Sequence, residues 1–295
     1  MLSAIDHVVV AVHDLPRAAA RYAALLGRAP SWQGEHPALG TANCLFRLDN
    51  SYLELLAARA GDVPAGSVGR RIREAPEGVF ALAFATADAA ALAADLRARG
   101  VAASEPVDGE GRESARGARR QWRSVFLPER ATRGLRLFAI EHRSPAEALP
   151  PAGHAAEPEA EVTGLDHVVV ASPDVEASAA LYGARLGLRL ALDRSDAERG
   201  LRLLFFRIGG VTLEVVGRLD APPDASAPDR FFGLAYRVAN ADAARRRLVA
   251  AGFDVSPVRA GRKPGTRVCT VRRDTCGVPT LVIEPRAQER ASFEA

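Results

Sequence analysis

Several things are scarce in this sequence of 295 residues. There are three cysteines, Cys44, Cys269 and Cys276. They cannot all pair and none has zinc-finger spacing, so a disulfide-stapled chain is excluded and reduced thiols, in a cytoplasmic protein, are expected. No stretch approaches the ~18 apolar residues of a membrane span. The opening MLSAIDHVVVAV meets an acid and a histidine with no basic run before them, so it does not read as a signal peptide. Lysine is almost missing: Lys263 is the only one, and 38 of the 39 basic residues are arginine. Against 36 acidic residues the net charge is +3, and without a recognisable reading module no nucleic-acid partner is expected. There is no Gly-rich phosphate loop, GxSxG elbow or HExxH helix. No base motif accompanies the cysteines, which argues against a thiol nucleophile.

What remains is a globular composition, 48% apolar and 25% charged, and at ~100–200 residues per domain the length fits two domains. An internal repeat makes that count definite. AIDHVVVAV at 4–12 recurs as GLDHVVVAS at 164–172, each a valine-rich run suited to a buried strand. Amphipathic helices follow at 15–27 and 175–187, both stopped by glycine. Paired strands come next, CLFRLDNSYLELLA at 44–57 and FFRIGGVTLEVVG at 205–217, turning at Asp49-Asn50 and Gly209-Gly210. His7 and His167 are 160 residues apart, and so are Glu54 and Glu214.

A weaker copy of the same order follows each unit. GVFALAFAT and a helix at 87–100 precede VAASEPV, QWRSVFL and LRLFAIEHR; RFFGLAYRV and a helix at 241–252 precede FDVSPV, RVCTV and PTLVIEP. The expected fold is α+β: four βαβββ modules (1–60, 76–143, 164–218 and 230–286) forming two cupped mixed sheets. Domains at 1–143 and 164–295 flank a Pro/Ala/Glu-rich linker at 144–163.

Four such modules, with DHVVVAV first strands and LEL or LEV fourth strands, resemble the vicinal oxygen chelate superfamily. That superfamily includes glyoxalase I, resistance proteins, methylmalonyl-CoA epimerase and the extradiol dioxygenases. HPALGTANCLFRLDNSYLELLA and FAIEHR resemble its glyoxalase-like domain proteins. The resemblance implies a divalent metal (Mn, Fe, Ni or Zn) held by first and fourth strands. Carried over, the ligands are His7, Glu54 and Glu141 in domain one and His167, Glu214 and Glu284 in domain two. The remaining ligand position falls on Ala81 and Gly233, which offer no donor. A glutamate inside an apolar strand is costly to bury unless paired or bound to metal, which supports the set independently. The competing reading keeps His7 and His167 as satisfied core histidines and the glutamates as partners of backbone or arginine.

Glu141 and His36 are the candidate catalytic groups, His36 because imidazole titrates near ~6.5. Asn43 and Arg123 are candidate substrate contacts. Arg112, Arg116, Arg119, Arg120 and Arg123 sit in one basic segment; Arg259, Arg262, Lys263 and Arg267 sit in its counterpart, and both read as solvated loops or anion clamps. Trp122 alternates with Arg123 on a strand and reads as core. The implied function is a metal-dependent lyase or isomerase acting on a small oxygen-rich substrate, anionic if the basic loops serve it. The alternatives are a sequestering binder or an extradiol-type dioxygenase, the latter weakened by Gly233 standing where a histidine belongs. A homodimer is one open assembly, and no membrane partner is expected.

Overall fold

The computed structural model describes residues 1–59, 61, 67–115, 117–154 and 157–286. In domain one the first module runs β1 (Ala4–Ala11), α1 (Leu15–Leu26), β2 (Trp32–His36), β3 (Thr41–Arg47) and β4 (Tyr52–Ala58). A short helix, α2 (Val68–Glu74), leads to the second module: β5 (Gly78–Ala85), α3 (Ala89–Ala98), β6 (Val107–Glu113), β7 (Arg119–Leu127) and β8 (Leu137–His142). The strands order as β1-β4-β3-β2-β6-β7-β8-β5, and the β5–β1 pair closes the sheet into a barrel.

Local chemistry sets these elements. Asp14 caps α1 by accepting from the Arg17 N–H, and Gly27 at φ 69° ends it in the left-handed region. The valines of β1 alternate: Val8 and Val10 face the helices, while His7 and Val9 face the barrel interior. The modules meet along β2 and β6, where Gly34 pairs with Glu113. A Cβ on Gly34 would stand 2.3 Å from the Arg112 carbonyl oxygen, so this junction requires glycine.

The segment expected as a basic loop is instead the β6–β7 hairpin, which places Arg112, Arg119, Arg120 and Arg123 on strands; Arg116 lies outside the described residues. Glycine and charge masked the strand because its inner face carries Gly109 and Gly111, across which the Trp122 indole lies.

Domain two repeats the order with β9 (Val162–Ala171), α4 (Val175–Ala179, continued by a π-helical turn to Arg185), β10 (Arg189–Asp196), β11 (Leu201–Ile208) and β12 (Val211–Arg218). Then come β13 (Arg230–Val238), α5 (Ala241–Ala250), β14 (Arg259–Ala260), β15 (Arg267–Val271) and β16 (Thr280–Glu284). This sheet stays open, β10-β11-β12-β9-β13-β16-β15-β14. Its β14 has two residues, too few to meet β10, and β10 is exposed almost throughout.

One apolar core runs through both domains, from Val8, Tyr22 and Phe46 to Tyr182, Phe206 and Tyr236. Polar ties hold the junction. The Tyr22 hydroxyl donates to the Thr275 carbonyl at 3.0 Å, and Arg247 of α5 donates to the Ala24 and Leu25 carbonyls at the end of α1. The Asn50 amide exchanges two hydrogen bonds with the Leu165 backbone. The segment between the domains is tied down as well: Leu149 packs with Trp32, Leu45 and Tyr52, and Ala29 N–H donates to the Gly153 carbonyl.

Candidate functional site

Both first strands carry a β-bulge at the aspartate of their Asp-His pair. On β1, Ile5 pairs with Phe84 and His7 with Ala83, leaving Asp6 unpaired; on β9, Leu165 pairs with Tyr236 and His167 with Ala235. Neighbours on a regular strand point to opposite faces, so the bulge lets each aspartate reach the imidazole beside it. The Asp6–His7 contact is 2.6 Å and the Asp166–His167 contact 2.8 Å. Asp6 also receives His142 Nε2 at 2.8 Å, whereas Asp166 receives Arg237 Nε at 2.9 Å. Burial alone would raise each carboxyl, but hydrogen bonds and charge outweigh it, from His142 and His7 at Asp6 and from His167 and Arg237 at Asp166. Both carboxyls are held well below the usual range.

From His7 the polar chain continues into the barrel. His7 Nε2 faces Glu54 Oε2 at 3.5 Å, Glu54 Oε1 accepts from Asn43 Nδ2 at 2.7 Å, and Asn43 Nδ2 lies 3.4 Å from His36 Nε2. His36 Nδ1 is 3.0 Å from the Thr41 hydroxyl. Burial pushes the His36 imidazole down, with the Arg120 charge adding to the effect and Glu54 opposing it, so the ring is neutral at neutral pH. Tyr52 stacks on His7 with ring centroids 4.4 Å apart, and Trp122 meets His36 edge-on at 5.7 Å.

These groups form one wall of a chamber of about 700 Å³ inside the barrel, within the ~300–1,000 Å³ of small-molecule sites. Domain two keeps the dyad and its glutamate, with His167 Nε2 3.7 Å from Glu214, but on an open sheet. There the His167 imidazole is pushed up: burial would lower it, and the Asp166 hydrogen bond and the charges of Asp166 and Glu214 prevail.

The structure thus brings together His7, Glu54, Asn43 and His36. It does not bring Glu141 or Glu284 to them. Glu141 Oε2 accepts from the Ala89 N–H at 3.0 Å and Glu284 Oε2 from the Ala241 N–H at 2.9 Å, so each carboxylate holds the first turn of a helix, α3 or α5. Glu141 follows chamber-lining Ile140 on β8 and therefore points to the other face. Strand register shows what occupies the ligand positions. Val9 lies opposite Glu54 on β4, and Ala83 lies opposite Phe138 on β8. The relation between modules that carries His7 to Ala81 therefore carries Glu54 to Phe138, and in domain two it carries His167 and Glu214 to Gly233 and Leu281.

A divalent metal of the expected kind does not fit this donor set. Such ions take three or four protein ligands, whereas the expected ligand positions supply one inward-facing histidine and one glutamate in each domain, and the other chamber histidine, His36, is separated from Glu54 by the Asn43 amide. Among the described residues no group of three or more His, Cys, Asp or Glu is arranged to hold an ion.

Arg123 also lies outside the chamber, paired with Asp108 at 3.2 Å. Of the arginines on β7, Arg120 is the one that lines the chamber, on the same face as Trp122, which lines the chamber rather than the core. The shared parity of positions 120 and 122 was the available signal. The thiols are buried or half-buried, and burial pushes Cys44 up to about 12 and Cys269 to about 11, consistent with inert side chains.

Residues 5–164 match the glyoxalase-like domain family, and residues 166–270 match the glyoxalase/bleomycin resistance protein/dioxygenase superfamily. No curated protein matches in sequence. Among solved structures, a triple variant of 4-hydroxymandelate synthase from Streptomyces coelicolor superimposes with TM-score 0.68 at 17% identity, over 96% of this chain and 92% of that one. A Mn(II)-bound glyoxalase from Novosphingobium aromaticivorans gives 0.62 at 18% identity, over 96% and 82%. A hypothetical protein from Staphylococcus aureus gives 0.65 at 11% identity, over 94% and 98%. At these identities the likeness is one of fold. With its modules paired into two tandem domains, the chain belongs to the glyoxalase-like domain family of the vicinal oxygen chelate superfamily.

Proposed function

We propose that domain one acts on a small oxygen-bearing molecule by proton transfer, the chemistry of an isomerase or a lyase. The observation that supports this reading is the continuous run Asp6–His7–Glu54–Asn43–His36, whose members from His7 onward line the chamber. Glu54 is the base that takes a proton from a carbon beside a carbonyl, and the His7 ring, 3.5 Å away, is the acid that returns it. Asp6 and Asn43 are positioning residues: one fixes the His7 ring, the other holds the Glu54 carboxylate. No step runs through a metal.

The test follows C–H exchange into D2O by proton NMR, with 2-oxobutanoate, phenylpyruvate and hydroxyacetone as probes. The expected result is protein-dependent exchange of at least one probe, reduced by ~100-fold or more in Glu54→Gln. Ala81 and Phe138 at the missing ligand positions favour a second reading, a sequestering protein without turnover. Absence of exchange with every probe would select it.

A further inference from the structure

Among the described residues Arg120 is one of three arginines more than nine-tenths buried, with Arg28 and Arg237. The other two have acceptors: Arg28 Nε donates to the Val162 carbonyl at 2.6 Å, and Arg237 pairs with Asp166. Among the described residues Arg120 forms no ion pair. Its side chain meets the Tyr52 hydroxyl, and its guanidinium lies 5.7 Å from the Trp32 ring centroid and 5.6 Å from that of Tyr52. A guanidinium has five N–H donors, and burying one with so few acceptors is costly unless an anion completes it.

The surroundings point the same way. The chamber is lined by Arg71, Arg120, Arg130 and Arg136 against Glu54 and Glu129. Glu129 is already paired with Arg71 and Arg136. Aromatic residues make up 6% of the sequence, yet Trp32, Tyr52, Phe80, Trp122, Phe126 and Phe138 all line this one space. Among the described residues the buried Asn43 Oδ1 has no hydrogen-bond partner, leaving an acceptor open beside Glu54.

We propose that Arg120 is the anion anchor of the chamber and that its ligand is an aryl carboxylate. The carboxylate takes the guanidinium of Arg120, and the ring lies among the aromatic side chains. A donor group such as a hydroxyl on the ligand reaches Asn43 Oδ1. This deepens the reading of domain one as a small-molecule site and rests on it, but it does not require turnover.

The two tryptophans of the chain, Trp32 and Trp122, both line the chamber, so intrinsic fluorescence reports its occupancy directly. The experiment titrates the full-length protein with 2-naphthylacetate and with neutral 2-naphthylacetamide. Wild type is expected to bind the acid at least ~10-fold more tightly than the amide. Arg120→Met should bring that ratio close to one while keeping its affinity for the amide, which shows that the chamber is still folded. Arg120→Lys, which keeps the charge but loses the fork, should fall between. Arg123→Met should match wild type. Equal affinity of wild type for acid and amide, a preference that survives Arg120→Met, or no binding of either probe at millimolar concentration would each overturn the proposal. Binding with the expected ratio but without C–H exchange would leave this inference standing and remove the catalytic reading.

Discussion

The two domains share a strand order, a bulged Asp-His pair and a fourth-strand glutamate, yet among the described residues only the sheet of domain one closes into a barrel around a chamber. The difference lies at the rim of the sheet rather than in the shared residues. In domain one β6 is seven residues long and meets β2 across Gly34; in domain two its counterpart β14 has two residues and meets only β15. The residues around the dyad changed with it. Glu54 has Asn43 and His36 beyond it, while Glu214 faces His167 on an open sheet. The comparison teaches that a repeated motif marks shared architecture, and that a site needs the walls as well.

The strongest way to break the comparison is to open the barrel. In Gly34→Ala the added Cβ meets the Arg112 carbonyl oxygen at 2.3 Å and Trp32 Nε1 at 2.4 Å. Because one of these is backbone, the β2–β6 junction must shift, at an expected cost of about 1–3 kcal/mol. Urea unfolding followed by tryptophan fluorescence should show that loss together with a red-shifted native emission. An unchanged midpoint would mean that closure does not depend on Gly34.

A smaller effect sharpens the contrast through pH. His36 in the folded chain lies below its ordinary value, so its contribution to stability is full above about 6.5 and is lost as pH falls from there through the lowered value. His167 lies above its ordinary value, so its contribution is full below about 6.5 and is lost as pH rises through the raised value. Across the neutral range the two domains should respond in opposite directions. Hydrogen exchange resolved by segment, with His36→Gln and His167→Gln as controls, checks this; parallel responses would contradict it.

Much of this was legible in the sequence because strands and repeats leave strong patterns. The 160-residue offset located both Asp-His strands and both glutamates, and His36 and Asn43 lie where their segment suggested. The failures share one cause. A strand shows opposite faces at successive positions, so a small error in register exchanges inside for outside. Glu141 is three residues beyond Phe138, the position that faces the chamber, and Arg123 is three beyond Arg120. A second limit was composition: β6, with glycine on its inner face for Trp122, carries too little apolar signal to read as a strand.

The proposed working site lies in domain one alone. Hydrogen–deuterium exchange with and without saturating 2-naphthylacetate tests it most directly. Protection is expected in domain one alone, at Trp32–His36, Thr41–Arg47 and Arg119–Leu127, with Arg189–Asp196 and Leu201–Ile208 unchanged. Protection of the domain-two strands, or of both domains equally, would contradict it.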